Sequence, residues 1–463
     1  MIHTKIIVLS GYINWKFKGE IVVALSFKQG VHPEYNKELT RNKALREANR
    51  PEKVIIPLQQ HIGAPCQPLV EVGEQVHMGQ KIGDSDSFVS APVHASVSGT
   101  VIEIKNVMTP GGNKAEAVVI ESDGEDTLDS SIKPQGNYQD LSPAAIRDII
   151  QEAGITGMGG AMFPTHVKVS IPEDKNIEHF IINGAECEPY LTVDDRIMVE
   201  QSRKVVMGMK ALMKASNVEH GLIAIEDNKQ EAISQMKTEV EDEENIEVKV
   251  FETKYPQGGE KMLIKAALNK EVPVGGLPLD VGVVVNNVTT AAAVADAIND
   301  GMPLIKRTAT VTGNGINKPC NLIYRIGTPA QDLIDEAGGF KGEPGKVILG
   351  GPMMGVAQHQ TEVPLIKGTS GVLVLPKAEV KNHETLPCIN CARCVDACPM
   401  SLIPTRLVNF AKNDMYQEMD QYQINNCIEC GSCAYVCPSH IPLVHHIKTG
   451  KAELMAEKRD NNE

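Results

Sequence analysis

The chain has 463 residues, 42% hydrophobic and 22% charged, with a formal net charge of −14 at pH 7. That length exceeds one hydrophobic core and predicts three or four domains of roughly 100 to 200 residues, in a composition that excludes disordered and fibrous classes. The acidic balance argues against a nucleic-acid ligand, whose phosphates need a basic face, and no stretch nears the roughly 20 apolar residues of a membrane span.

Residues 1–25 mix apolar and basic side chains without helical or alternating period, and Lys16, Lys18 and Glu20 interrupt any signal-peptide core. They read as an atypical extension, and a purine-rich codon run for Lys18-Gly19-Glu20 ahead of Val22 and Val23 matches an internal start. From 26 to 120 short apolar runs alternate with Gly63, Gly73, Gly79, Gly83 and Gly99 at strand-and-turn spacing. Val72-Gly73-Glu74, Gly79 to Gly83 and Ala91-Pro92-Val93 resemble the barrel-sandwich fold of biotinyl and lipoyl carriers. His94 to Ser98 stand where such a carrier has its lysine, which predicts a structural module rather than a swinging arm.

The acidic stretch 121–140 reads as a linker. An α/β domain is expected over 141–302. It opens with a helix capped by Ser142 with Pro143 in its first turn, and apolar strands near 179–183, 221–225, 246–251 and 281–286 alternate with helical segments, the pattern of a mainly parallel sheet. A smaller α+β unit, β-grasp-like of the SLBB type, follows over 303–376, with a helix near 328–337 capped by Thr328 and stopped by Gly338 and Gly339. A helical iron-sulfur module over 385–447 and a frayed charged tail over 448–463 complete a multidomain α/β and α+β chain.

Cys388, Cys391, Cys394 and Cys398 precede Pro399, and Cys427, Cys430, Cys433 and Cys437 precede Pro438, so both runs read C-x-x-C-x-x-C-x-x-x-C-P. This is the bacterial ferredoxin spacing for two [4Fe-4S] clusters, in which the fourth cysteine of each run reaches the other cluster. One cluster is therefore assigned to Cys388, Cys391, Cys394 and Cys437, and the second to Cys427, Cys430, Cys433 and Cys398. Zinc would leave half of each run idle, and disulfides suit small secreted domains rather than a chain of this length. Eight cluster thiolates imply a reducing compartment, and Cys66, Cys187 and Cys320 read as buried inert thiols.

A second motif, Gly157-Met158-Gly159-Gly160-Ala161-Met162-Phe163-Pro164-Thr165, lets backbone N–H groups approach a phosphate or flat ring that a Cβ would block. Alone it does not distinguish a turn from a ligand cradle. With Asn183 to Pro189, Tyr255 to Glu260 and Val285 to Thr290, in that order, it resembles the FMN and NADH site of the respiratory complex I flavoprotein subunit. Together with the barrel-sandwich module and the two cysteine runs, residues 26–447 resemble the RnfC subunit of the Rnf complex, the ion-translocating ferredoxin:NAD oxidoreductase.

The resemblance implies non-covalent FMN lined by Gly157, Gly159, Gly160, Ala161 and Gly258, with Lys168 at its phosphate. Asn183 and Glu186 then bond the flavin or its ribityl chain, and Asn286, Asn287 and Thr290 hold the phosphate end. Phe163, Glu188 and Glu260 match positions that contact NAD(H). Singly, Phe163 reads as core, the asparagines as a strand end and the glutamates as surface. The sequence departs from the complex I pattern at Met158 (arginine there), Ala185 (aspartate) and Gly259 (acidic), and Glu271 to Val274 lack an aromatic found there.

The implied function is a peripheral, NAD(H)-reacting oxidoreductase subunit at the cytoplasmic face of the membrane. It passes electrons between NAD(H), FMN and two [4Fe-4S] clusters, while partner subunits couple the flow to Na+ or H+ transport. No general acid or base is expected, and the acidic surface predicts that ferredoxin is received by another subunit. The alternatives are a flavin and iron-sulfur reductase of the cobalamin reductase type, in which the barrel-sandwich part is carboxy-terminal, and a relay adaptor without flavin.

Overall fold

A computed structural model describes residues 13–17, 20–381 and 383–460. Most of the amino-terminal extension, including residues 1–12, lies outside the described residues; of the remainder, Ile13–Phe17 pairs antiparallel with Glu20–Ala24.

Residues 25–47 form a strap across other domains before the barrel-sandwich strands begin. Leu25 bridges in parallel to Phe251, Val31 pairs antiparallel with Tyr255, and Leu45–Glu47 adds an edge strand beside Cys320–Arg325. None of these short runs carries a period of its own; partners more than 200 residues away supply their backbone hydrogen bonds.

The barrel sandwich pairs a four-stranded sheet, ordered Lys53–Pro57, Lys114–Ser122, Gly99–Met108 and Gln75–Val76, with a three-stranded one of Gln67–Pro68, Lys81–Asp84 and Val93–His94. Val54, Ile56, Ile82, Val93, Val101, Val118 and Ile120 fill the space between them. His94 is buried, as a swinging arm could not be. The acidic segment 121–140 docks against its neighbours: Met78 N donates to the Thr127 carbonyl, Asp129 N donates to the Met78 carbonyl, and Gln135 N donates to the Ile298 carbonyl.

In the α/β domain, α1 (Pro143–Glu152) begins as the sequence predicts, with Ser142 Oγ accepting from Ala145 N at 3.1 Å. Four parallel strands follow: β1 (His179–Gly184), β2 (His220–Glu226), β3 (Ile246–Phe251) and β4 (Val283–Asn287). They are ordered β3-β2-β1-β4. Chain progression runs outward from β1 through β3 and then returns to the other side of β1, so the order reverses between β1 and β4. The carboxyl ends of strands at such a switch point form a crevice where α/β proteins bind ligands. Asn183 and Asn287 face each other in register there.

The SLBB-type unit is a six-stranded sheet that includes Lys306–Thr312 and the strap strand, with a helix at Ala330–Glu336. Thr328 does not cap that helix: its hydroxyl donates to the Arg325 carbonyl instead. Gly338 and Gly339 stop the helix as expected, both in the left-handed region at φ 81° and 76°. The expected frayed tail is instead a helix, Leu443–Asp460, with Leu454 fully buried in the core of the iron-sulfur module. Its apolar side is legible only once Met419 and Leu407 are brought to meet it.

Candidate functional site

The glycine loop projects from the switch point. Its base is closed by a bridge between Thr156 and Pro164 and by Gly157 N donating to the Phe163 carbonyl at 2.8 Å. Gly159, Gly160 and Ala161 are exposed at the tip, Phe163 is half-buried, and Met158 is buried. A Cβ on Gly159 would lie 2.8 Å from Asn287 Nδ2, whereas one on Gly160 would meet nothing within 4 Å. The loop is thus pressed against β4 on one side and open on the other.

Behind it, Met158 N donates to Thr290 Oγ1 at 3.0 Å. Asn287 caps α4 (Val288–Asn299), accepting from Thr289 N at 2.8 Å through Oδ1. Its Nδ2 donates to Asp194 Oδ2 at 2.7 Å, and Thr289 Oγ1 donates to Asp194 Oδ1 at 2.8 Å. Asn286, 3% exposed, leaves its Nδ2 without a protein partner.

Across the crevice, Asn183 donates from Nδ2 to the Gly258 carbonyl at 2.8 Å and accepts from Ala185 N at 3.0 Å, which ties the end of β1 to the Tyr255 to Glu260 segment. Gly258 must be glycine, because a Cβ would lie 2.2 Å from the Ala185 carbonyl oxygen. Gln257, fully buried, has neither amide atom bonded.

Two glutamates are sequestered. Glu186 accepts from Asp194 N at 2.9 Å, lies 3.8 Å from Lys37 Nζ, and leaves Oε2 unbonded. Burial holds its carboxyl above the usual carboxylate range against the attraction of Lys37. Glu188 accepts from Met353 N at 3.1 Å and Met354 N at 2.8 Å, so in the structure it clamps the SLBB-type unit rather than facing a free hydroxyl. Burial pushes it up to about 7 although both amides favour the charged form. At the mouth, Lys168 Nζ donates to Glu260 Oε1 at 2.7 Å and to the Val285 carbonyl at 2.6 Å.

These residues fit a flavin nucleotide. The unbonded buried atoms of Asn286, Gln257 and Glu186 need polar partners, and the open side of Gly160 and the exposed loop tip leave room for a ring or phosphate. The glycines, the asparagines, Lys168 and Glu260 were visible in the sequence, but the pairing of Lys168 with Glu260 was not. Lys37, Gln257, Asp194 and Arg307 were not. Lys37, from the strap, donates to the Glu186 carbonyl at 2.8 Å, the Glu188 carbonyl at 2.9 Å and the Leu191 carbonyl at 2.5 Å, and so shapes the whole turn after β1. Nothing around position 37 signals this, whereas Asp194 reads as an ordinary acidic first-turn residue.

The cysteines divide into two cavities. Cys398, Cys427, Cys430 and Cys433 ring one, with Leu402, Leu407 and Ile447 around them; Cys388, Cys391, Cys394 and Cys437 ring the other. Spread sulfurs around a cavity suit a multi-iron cubane. Burial raises the Cys427 thiol to about 11 and also raises Cys398, so near neutral pH a bound cation is what would favour their thiolate forms.

The two cavities differ in position. Cys388 and Cys391 are exposed, while Cys398, Cys430 and Cys433 are buried. Tyr255 Oη donates to the Cys430 carbonyl at 2.7 Å, and Gly30 N to the Ala397 carbonyl at 3.3 Å, which seats the buried cavity against the segment carrying Gly258 and Glu260.

The sequence matches the RnfC Barrel sandwich hybrid domain over residues 25–125, the Nuo51 FMN-binding domain over 150–296, the SLBB domain over 308–357 and the 4Fe-4S dicluster domain over 387–441. It is 49% identical over 437 residues to the C subunit of the Na(+)-translocating ferredoxin:NAD(+) oxidoreductase complex of Acetobacterium woodii, covering 94% of this chain and 99% of that protein. It is 50% identical to the proton-translocating counterpart of Clostridium ljungdahlii, over 85% of this chain and 86% of that one. Identity to the C subunit of the ion-translocating oxidoreductase complex of Rhodobacter capsulatus is 41%, over 83% and 74%.

Proposed function

The chain belongs to the RnfC family, the C subunits of ion-translocating ferredoxin:NAD+ oxidoreductase complexes, and from that membership we propose that it is the complex's peripheral NAD(H)-reacting subunit, at the cytoplasmic face of the membrane. Among the described residues no helix is long and apolar enough to cross a membrane, so the ion path belongs to partner subunits. The adjacency of the glycine-loop crevice and the buried cysteine cavity, joined through Tyr255 to Gly258, carries the reading.

FMN supplies the exchange between two-electron hydride chemistry and single-electron chemistry when bound. The chain positions it. Gly157, Gly159, Gly160 and Ala161 offer backbone at the ring, and Gly258 keeps the opposite wall close. Glu186 and Asn183 stand at the flavin side, and Asn286, Asn287 and Thr290 at the phosphate end. Lys168 and Glu260, paired with each other in the structure, would hold the flavin phosphate and a hydroxyl of NAD(H) beside Phe163 respectively. Cys427, Cys430, Cys433 and Cys398 hold the cluster nearer the flavin, and Cys388, Cys391, Cys394 and Cys437 the outer one. Ferredoxin is received by another subunit, which the net charge of −14 favours.

Anaerobic protein is expected to hold about eight irons per chain and one FMN, and mixing with NADH should bleach the flavin band. Protein that takes up FMN but is not bleached by NADH would overturn the NAD(H)-reacting role, and protein that takes up no FMN would leave the relay-adaptor reading.

A further inference from the structure

A guanidinium stands behind the glycine loop with no carboxylate paired to it. Arg307, on Lys306–Thr312, is 2% exposed. Its Nε donates to the Lys367 carbonyl at 3.1 Å, Nη1 to Thr308 Oγ1 at 3.0 Å and Nη2 to the Met158 carbonyl at 2.8 Å. The nearby acids are committed elsewhere: Asp194 to Asn287 and Thr289, and Glu186 to Asp194 N. Lys367, 1% exposed, adds a second cation whose Nζ donates only to the Pro92 and Gly154 carbonyls, both at 2.7 Å. Among the described residues neither cation forms an ion pair. Burying a charge on neutral acceptors alone is costly, and Arg307, the one of the two that bonds the loop, at the Met158 carbonyl, is placed to do something to it.

The loop geometry shows what. A trans peptide is planar, with its C=O and N–H pointing in opposite directions. Arg307 draws the Met158 carbonyl inward, and the N–H of Gly159, on the same peptide, therefore points outward to the open side. Thr290 fixes the preceding peptide through Met158 N at 3.0 Å. Among the described residues the N–H groups of Gly159, Gly160 and Ala161 donate to no protein acceptor. They form a set of free donors whose first member is aimed by the guanidinium, with a positive field behind them.

We propose that Arg307 is a positioning residue for the flavin: it fixes the Met158–Gly159 peptide so that Gly159 N–H faces the ring, and its charge favours the flavin in its electron-rich, two-electron-reduced form. Lys367 adds to that field. The assignment rests on the flavin reading of the loop. It also places a determinant of flavin behaviour on a different domain from the rest of the site, where no loop motif would reveal it.

The test uses full-length, cluster-replete protein as wild type, R307Q and R307K, each checked for iron content and cooperative melting. FMN is titrated by flavin fluorescence and the flavin potential read by spectroelectrochemistry. Folded R307Q should bind FMN at least tenfold more weakly. A tenfold fall in its preference for reduced over oxidised flavin reads as about 30 mV toward negative potential for a two-electron couple. R307K keeps the charge but loses the planar fork, so its potential should stay near wild type while binding weakens several-fold. Folded R307Q with wild-type affinity and potential overturns the proposal. If R307Q does not fold, R307K decides alone, and wild-type binding in it overturns the proposal. Wild-type protein that takes up no FMN overturns the flavin reading itself, a result separable from any difference among the variants.

Discussion

Cys398 belongs to the first cysteine run by sequence and to the second cavity by position. C398S should therefore lose the cluster shared with Cys427, Cys430 and Cys433 and keep the outer one, with iron falling from about eight to about four per chain. Electron paramagnetic resonance of the reduced variant identifies the survivor, and loss of the outer signal would reverse the ligand sets. Glu188 offers a second residue-scale test. Burial raises its carboxyl to about 7, so the folded state holds the proton more tightly than the unfolded chain, with its ordinary value near 4.3. Its contribution to stability is complete below the unfolded value and is lost as pH rises toward 7. The stability of wild type relative to E188Q should accordingly fall between pH 5 and pH 8 in thermal unfolding; an unchanged difference would mean that Glu188 titrates normally. At this scale the sequence was most informative where chemistry fixes spacing. The cysteines and glycines could be read directly, whereas Lys37 and Arg307 act on backbone carbonyls 149 positions or more away, Lys37 on Glu186 and Arg307 on Met158, and leave no local trace.

Elements were legible to the extent that they are self-sufficient. The four parallel strands carry continuous apolar runs because both faces are covered, and α1 carries its own cap in Ser142. The strap strands and the helix Leu443–Asp460 carry neither, and their stability comes from partners remote in sequence. One close approach decides how the flavin domain packs. Gly208, on the helix Ser202–Ala215, would place a Cβ 1.8 Å from the Ala291 carbonyl oxygen of α4. G208A must push α4 away, and α4 is capped by Asn287 and carries Thr290. Overpacking of this kind costs about 1–3 kcal/mol, so the variant should melt lower and bind FMN more weakly, both measured on the same preparation. A destabilised variant with unchanged FMN affinity would show that the start of α4 is held by Asp194, through Asn287 and Thr289, independently of helix packing.

At the scale of the molecule, the proposed function requires a two-electron site and two one-electron sites in series. The strap holds the buried cysteine cavity against the crevice, and Met353, which with Met354 donates to Glu188, packs beside Cys430, while Cys388 and Cys391 at the outer cavity are exposed. On that proposal, electrons from the outer cluster would reach NAD+ only by way of the inner one. Chemically reduced, flavin-replete protein mixed with NAD+ in a stopped-flow instrument tests this order, because each remaining cluster reports its own oxidation by recovery of its visible absorbance. In the C388S/C391S double variant the inner cluster should reoxidise at the wild-type rate. In C430S/C433S the outer cluster should reoxidise at least tenfold more slowly, since its neighbour in the chain of transfer is gone while the nucleotide site is intact. Equal rates in the two variants would mean that both clusters reach the crevice directly, and the series arrangement would give way to a branched one.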